Sequence, residues 1–555
     1  MAAGGASTEF DHIIVGAGSA GCVIARRLVD AGRSVALVEA GGPDYNPAIH
    51  QPNRSWELWN SPEDWAYTTE PQRHSLKTSV FWPRGKVLGG SSALNGMIYV
   101  RGARSDFDNW AYNGALGWSY ADVLPYFKRS EDFEDGPGEY HGVGGPLPVT
   151  RIAEPNPVTV AMIEAAVERG VPRNDDPNAE EILGVGLTHM TVRNGRRMST
   201  WTAFIEPIVD RPLLTVITGS QVSSLVFDGG GRAAGVRLSR PGLQYSYRTT
   251  VSLNTLADSQ PRPTLASWPA TELRCSGDVI VCGGVIGSPQ LLLLSGIGPA
   301  DDLRALGLEV RSDLPGVGAN LHDHALATVL YESSQTIPEG KANNLEAHLF
   351  AASDPGMPAP DLQPLMSHFP MPVEGYPQPG YGDGYAIVAG LIRPLSRGRL
   401  WLRSADPGQH PALDPQYLSE PADVRALLAS LRLSREIGQA RALKDWRARE
   451  LAPGPDVRTD EDLIEYGMRN LITYHHQVGT CKMGIDSMAV TTPDLRVRGI
   501  PGLRVADASV MPSVTSGNTN APTIMIAEKI ADAIRGRAFL PADDAPVYGD
   551  GRKAA

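Results

Sequence analysis

The chain is poor in cysteine, has no long apolar run and carries no surplus of positive charge. Each lack excludes a class of function. Its four cysteines, Cys22, Cys275, Cys282 and Cys481, are too few and too scattered among 555 residues for a disulfide framework. Reduced thiols in a cytoplasmic protein are the expectation. No apolar run approaches the roughly 18 residues of a membrane span. The leucine run at 291–294 is bounded by Pro289 and Gly296. Residues 1–10 show neither a basic region nor an apolar core, so no signal peptide is expected. With 50 Lys and Arg against 62 Asp and Glu, the net charge of −12 sets aside nucleic acid and anionic membrane as partners.

What is present is an ordinary globular balance, 42% apolar and 20% charged, that can bury a sizeable core. The length suits two or more domains, or one large α/β unit with an insertion. The 59 glycines and 45 prolines have no period and predict many turns and long connections. Residues 12–21 read HIIVGAGSAG. Ile13, Ile14 and Val15 suit a buried parallel strand. Gly16, Gly18 and Gly21 then give G-x-G-x-x-G, followed by a helical pattern that Gly32 stops. Gly16 permits the tight turn, Gly18 lets backbone approach a pyrophosphate, and Gly21 lets helix pack on strand. A second strand, 34–38, ends at Glu39, eighteen residues beyond Gly21 and placed for ribose hydroxyls. An acid there disfavours a 2′-phosphate, and the motif leaves NAD and FAD equally open.

The segment 473–484, TYHHQVGTCKMG, places His475 and His476 side by side, the second five residues ahead of Cys481. These do not form a set of zinc ligands, and neither C-x-x-C nor H-E-x-x-H occurs, so no metal is expected. Nor does a nucleophile elbow remain for a Ser-His-Asp hydrolase, because the one Gly-Ser pairing in a suitable context, GAGSAG, belongs to the dinucleotide turn. His322 and His324, in NLHDH, read as structural.

Four further segments are RGKVLGGSSALN at 84–95, GGVIGSPQLLLLSGIG at 283–298, GVGANLHDH at 316–324 and PGLRVADASVMPSVTSGNTNAPTIMI at 501–526. Read locally, the first is a glycine turn that admits a flat ring or phosphate. The second is a helix entered through Ser288 and Pro289 and ended by Gly296. Together with the N-terminal glycines and the histidine segment, their order and spacing resemble the glucose–methanol–choline (GMC) oxidoreductases, in the choline-dehydrogenase-like branch. The likeness runs from about Asp11 to about Gly536.

The resemblance implies FAD and an α/β fold of two interleaved parts. One is a Rossmann-like FAD-binding domain over 8–325, rejoined by about 485–540. The other is a substrate domain on an antiparallel sheet over 326–484, to which 151–204 also answers, with 541–555 as a tail. Short β-like runs such as LLTVIT and GRLWLR, within 213–240 and 384–404, are compatible with it. The cofactor wall it implies is Gly16, Gly18, Ser19 and Ala20; Glu39 and Ala40; Gly89, Gly90, Ser91, Asn95 and Gly96; Val222; Asp507 and Ala508; and Asn520, Pro522 and Thr523. Val222 reads equally as a buried strand valine, and Asp507 as a helix cap. Leu94 stands where some relatives carry a histidine bonded to the flavin, so non-covalent FAD is expected.

Oxidising an alcohol on a flavin needs a base for the hydroxyl proton and a polar group holding the oxygen. The resemblance gives these as His476 and Asn520, 44 residues apart. In an extended segment neighbouring side chains face opposite ways, which leaves His475 to packing or support. Gln477 replaces the family's usual proline. Asn518 competes with Asn520, and the register of Asn520-Ala521-Pro522-Thr523 favours Asn520. The helix that begins near Pro522 aims its N-terminus at the flavin.

The expected function is oxidation of a primary alcohol to an aldehyde, with electrons passed to oxygen or a quinone-like acceptor. The alternative is a hydroxynitrile lyase-type enzyme without net redox chemistry. A light-driven decarboxylase is set aside, because GLIRPLSRG at 390–398 lacks that branch's cysteine and His476 is present. The intact His476–Asn520 pair argues against an inactive flavin-binding protein. Residues 242–275 read as an insertion forming a surface lobe or an oligomer contact. Residues 330–385 read as a turn-rich cover for the pocket. Trp56, Trp59 and Trp65 either line its entrance or pack.

Overall fold

The computed structural model describes residues 8–240, 242–246, 264–267 and 271–543. The run Ile13–Val15 lies in the strand His12–Val15. Its unbroken apolar character fits a strand covered on both faces. It sits within five parallel strands ordered Leu214–Thr218, Val35–Val38, His12–Val15, Val279–Val281 and Leu503–Val505. The antiparallel pair Leu243–Ser246 and Thr264–Ser267 extends the Leu214–Thr218 edge. The described part of the 242–275 insertion thus begins as two added edge strands. It ends in Glu272–Cys275, which joins a four-stranded sheet with Ala233–Leu238, Val222–Phe227 and Glu9–Phe10. Residues 247–263 and 268–270 of the insertion lie outside the described residues.

The C-terminal helix Asn520–Ile534 packs on the N-terminal helix Ser19–Asp30. Glu528, fully buried, clamps the two. It accepts from Arg27 at 2.7 Å and from Arg129 at 2.8 Å, and Arg129 also reaches Asp532 at 2.7 Å. A buried carboxylate survives here because two guanidiniums replace its water.

A second, antiparallel sheet runs Arg447–Ala452, Ala325–Ser333, Gly384–Leu391, Leu365–Ser367, Ala347–Phe350 and Gly184–Leu187, with Leu471–Thr473 also paired to Ala325–Ser333. Gly184–Leu187 is its one strand from the 151–204 segment. Of the two β-like runs, LLTVIT joins the parallel sheet, and GRLWLR gives Arg399–Trp401 in a separate ribbon with Ala412–Asp414. Letters that favour a strand do not say which sheet will take it.

The helix expected to enter at Ser288 starts earlier, at Gly284, and carries Pro289 inside. Proline has no N–H for the carbonyl four residues back, which is that of Val285. That carbonyl instead accepts from Thr480 Oγ1 at 2.6 Å. The proline thereby ties this helix to the histidine segment.

Candidate active site

A cavity of about 830 Å³ lies where these elements meet. Its floor is the first strand–turn–helix. At Gly21 a Cβ would stand 1.9 Å from the Gly16 carbonyl oxygen, so only glycine lets the helix close on the strand. Gly90, at φ +53°, faces Gly18 so closely that a Cβ would stand 2.7 Å from the Gly18 Cα. This contact carries the second glycine segment onto the first. The N–H groups opening helix Ser19–Asp30 have no side-chain cap, and Gly16, Gly18, Ser19 and Ala20 line the cavity there. The pattern is that of an anion cradle.

Glu39 ends the neighbouring strand, and its carboxylate accepts from the N–H of Ala17 and of Gly41, each at 2.9 Å. Burial pushes it up to about 7, against the pull of those donors. Ala40, Val222, Ser91, Asn95, Gly96, Ala508 and Thr523 also line the cavity. Asn95 is held by Arg197, whose Nη1 donates to its Oδ1 at 2.7 Å. Asp507 lines the cavity while capping two turns. It accepts from Gly284 N at 2.9 Å, Ser288 Oγ at 2.5 Å and Ser509 N at 2.8 Å. Two expected wall residues do not reach the cavity. Gly89 instead approaches Ser199 and donates to the Ala17 carbonyl at 2.8 Å, and Pro522 is buried in the first turn of its helix. A glycine cradle, unclaimed helix N–H groups and a buried carboxylate beyond them suit the phosphates and ribose of a dinucleotide.

His476 sits at the far end, buried. Its Nε2 meets Asn518 Nδ2 at 3.2 Å and its Nδ1 meets His324 Nδ1 at 3.0 Å. An amide nitrogen can only donate, so Nε2 is the acceptor and Nδ1 carries the hydrogen. His324 then accepts on Nδ1 and holds its own hydrogen on Nε2, a buried atom without a hydrogen-bond partner. Gln363 Nε2 donates to Asn518 Oδ1 at 3.3 Å, which turns the Asn518 amino group toward His476. Tyr474 stacks on the His476 ring at 4.6 Å. Burial, reinforced by His324, His475 and Arg84, holds His476 well below the usual imidazole range.

The backbone of this segment is fixed by Asp323. It accepts from His476 N at 2.8 Å, Thr473 Oγ1 at 2.5 Å and Gln477 Nε2 at 3.0 Å, and from the Tyr417 hydroxyl. Gln477, where relatives have proline, therefore holds the turn through its side chain. His322 is tied to backbone, at 2.6 Å from the Asn320 carbonyl and 3.0 Å from Val514 N.

Two expectations change. The polar group beside His476 is Asn518. Asn520 instead accepts from Ser19 Oγ at 2.7 Å, on the glycine-cradle side. The helix begins at Asn520, two residues ahead of Pro522, so Asn518 lies outside it and is free to point at the histidine. Second, His475 and His476 both line the cavity. The regular strand ends at Thr473, and His475 takes a left-handed φ of +66°, which breaks the alternation of an extended segment. Arg84 donates to the His475 carbonyl there, and the ring meets Trp59 edge-on at 5.2 Å. Trp56, Trp59 and Trp65 all line the cavity. Gln363 lies in no motif, while His324 reads as structural in NLHDH and Arg84, which opens the segment 84–95, carries no expected role in the site. Among the described residues no group of three or more His, Cys, Asp or Glu is arranged to hold a metal ion.

Comparison with known proteins gives the family. Two GMC oxidoreductase family models match residues 10–257 with 270–326, and residues 394–527. An oxygen-dependent choline dehydrogenase of Pseudomonas savastanoi pv. phaseolicola is 40% identical, over 99% of this chain and 97% of its own length. One of Pseudomonas fluorescens (strain Pf0-1) is 40% identical over 98% and 96%. The crystal structure of pyridoxine 4-oxidase from Mesorbium loti superposes with a TM-score of 0.86 at 32% identity, covering 95% of this chain and 99% of that one. None of these relatives is a lyase. The chain belongs to the GMC oxidoreductase family and is an FAD-dependent oxidoreductase acting on CH–OH groups.

Proposed function

We propose that the protein oxidises a primary alcohol to an aldehyde, with His476 as the base and Asn518 holding the alcohol oxygen. The hydrogen-bond chain His324–His476–Asn518 carries the reading. FAD, when bound, supplies the two-electron acceptor for the hydride that leaves the carbinol carbon. The residues do the rest. When the alcohol binds, the Asn518 amino group turns from His476 Nε2 to the substrate oxygen, the freed Nε2 lone pair takes the hydroxyl proton, and the positive ring that results is stabilised through its Nδ1–H bond to His324. The Asn518 amino group donates to the substrate oxygen as it turns from hydroxyl to carbonyl. Tyr474 and Leu94 help to exclude water. Gly16, Gly18, Ser19 and Ala20 would hold the pyrophosphate, Glu39 the adenosine ribose, and Asn95, Asn520 and Thr523 would lie toward the flavin.

Leu94, buried on the cavity wall, has no nucleophile, which supports non-covalent FAD. The reduced flavin would pass its electrons to oxygen or a quinone-like acceptor. Choline, named for the Pseudomonas relatives, is one candidate alcohol. Four free, buried cysteines fit a reducing cytoplasm. Among the described residues no helix is long and apolar enough to cross a membrane.

The test is the visible spectrum of the purified holoenzyme under anaerobic addition of alcohols of several classes. Bleaching of the flavin with release of the aldehyde supports the reading. A flavin that stays oxidised with every class, while a cyanohydrin is cleaved, would sink it in favour of lyase chemistry.

A further inference from the structure

We infer that Arg197 is the buried counter-charge of the reduced flavin, acting through Asn95 on the negative charge that the ring gains with the hydride. The inference rests on FAD binding with its ring beside Asn95. It begins with a hairpin. Val192–Arg193 pairs with Arg196–Arg197 across Asn194 and Gly195, whose left-handed φ values of +52° and +69° suit a two-residue turn. Side chains alternate along a strand, so the two adjacent arginines part. Arg196 stays at the surface, 3.8 Å from Glu206. Arg197 turns inward and is 1% exposed. Three arginines are this deeply buried among the described residues. Arg101 meets Glu131 at 2.8 Å, and Arg504 meets Asp278 at 2.7 Å. Arg197 meets only neutral acceptors. Its Nε donates to the Ile49 carbonyl at 2.7 Å. Its Nη1 donates to the Asn95 carbonyl at 2.5 Å, to Asn95 Oδ1 at 2.7 Å and to the Ser92 carbonyl at 3.4 Å. Its Nη2 donates to Ser55 Oγ.

A guanidinium taken out of water with no anion beside it is costly, and a ligand that brings negative charge offsets the cost. Burial alone shifts Arg197, down to about 9, so it keeps its proton at neutral pH. The lysine and arginine on the cavity wall are already answered. Lys77 is 3.5 Å from Glu374, and Arg84 has the Asp323 carboxylate near it. Asn95 stands between Arg197 and the cavity. Its Oδ1 accepts from Arg197 and from Met97 N at 3.0 Å, which fixes the amide. Among the described residues its Nδ2 donates to no acceptor, and Asn95 lines the cavity, so this N–H group is left for a ligand. An amide held by a cation is polarised, and its N–H donates more strongly to an acceptor that turns negative. Hydride from the carbinol carbon carries two electrons and one proton to a neutral ring, while the hydroxyl proton goes to His476. The ring therefore gains one negative charge. Charge placed near a flavin ring tunes how readily it is reduced, and a cation favours the reduced state.

The midpoint potential of the flavin in the holoenzyme tests this, titrated with dithionite against a reference dye and so without any alcohol. Arg197→Gln and Arg197→Met remove the charge. Arg197→Lys keeps the charge and loses most of the bonds. In the two neutral variants the equilibrium constant for two-electron reduction should fall by on the order of tenfold, a midpoint potential lower by about 30 mV. In Arg197→Lys it should stay within about threefold of the parent protein, even where melting temperature falls. Sulfite adds to the oxidised ring and leaves negative charge there, so it should bind about tenfold more weakly to the neutral variants. Where neither neutral variant retains FAD, Asn95→Ala is measured in their place and should lower the potential in the same direction. An unchanged potential in a neutral variant that holds FAD, or in Asn95→Ala where neither does, overturns the inference. So does a fall in Arg197→Lys as large as in Arg197→Gln, or loss of FAD from all four variants, either of which marks a structural bracket. A lowered potential in the neutral variants, in a protein whose flavin no alcohol reduces, overturns the proposed oxidation and supports the inference. A parent protein that takes up no FAD overturns both.

Discussion

His476 Nε2 stands 3.2 Å from the amide nitrogen of Asn518, while Asn520 lies against Ser19. Two asparagines separated by one residue thus face different partners in the cavity, and substitution should separate them. Asn518→Ala should lower kcat by about 10²-fold, the usual loss for one donor to a developing oxyanion, with FAD content unchanged. Asn520→Ala should instead lower the FAD-to-protein ratio. Steady-state kinetics together with the flavin absorbance of each purified variant check this. Equal effects on kcat and FAD would contradict the division.

The two histidines should differ more sharply. His476→Ala removes the proposed proton acceptor, and the rate of flavin reduction should fall by roughly 10²–10⁴-fold with FAD still bound. His475→Ala removes a wall group whose Nδ1 has no partner, and should act mainly on KM. Rapid-mixing measurement of flavin reduction tells them apart.

The pH profile follows from burial. A base works only when unprotonated, so kcat/KM falls as pH drops through its pKa. Burial first, and then His324, His475 and Arg84, hold His476 well below 6.5. The acid limb of kcat/KM should therefore lie below pH 6.5, and activity should be flat from there through neutrality. A limb at or above pH 6.5 would show that another group limits the reaction.

Glu39 gives the opposite kind of dependence. Burial raises it to about 7 in the protein without FAD. Ribose hydroxyls donate to the ionised form, so FAD should bind more tightly as pH rises through about 7 and then level off. Glu39→Gln should abolish that pH dependence and weaken FAD by about 10–100-fold, the range for hydrogen bonds to a charged group. Quenching of FAD fluorescence on titration of apoprotein measures both.

Much of this site can be read in the sequence, and its limits have physical causes. The run Ile13–Val15, the glycines after it and Glu39 report local demands of strand, turn and helix, so they are legible one residue at a time. The choice between Asn518 and Asn520 turned on where a helix starts, a boundary that sequence resolves only to within about two residues. The assumption that His475 and His476 face apart failed because one left-handed residue, held by Arg84 from a segment almost four hundred residues away, reverses the alternation. The contacts of His324 and Asp323 likewise join distant segments, so NLHDH marks the residues without showing what they touch.

Gln363 is the clearest such case, because its side chain reaches the base only through Asn518. It is 2% exposed, its N–H donates to the Gly390 carbonyl at 3.0 Å, and its own carbonyl accepts from the Tyr474 hydroxyl at 3.2 Å. Its side-chain amino group meets the Asn518 oxygen, so the Asn518 amino group is left to face His476. An amide can turn over with little change of shape, and what prevents it here is that one donor. Gln363→Leu should free Asn518 to present its oxygen to a lone pair, which is repulsive, or to turn away. We expect kcat to fall by about tenfold, the worth of one hydrogen bond of about 1.4 kcal/mol, with KM for the alcohol and FAD content little changed. In the double variant Gln363→Leu with Asn518→Ala, the second change should add its full effect only if Gln363 acts independently. If Gln363 acts by orienting Asn518, the double variant should be about as slow as Asn518→Ala alone. A fully additive loss would show that Gln363 matters to packing and not to the orientation of Asn518.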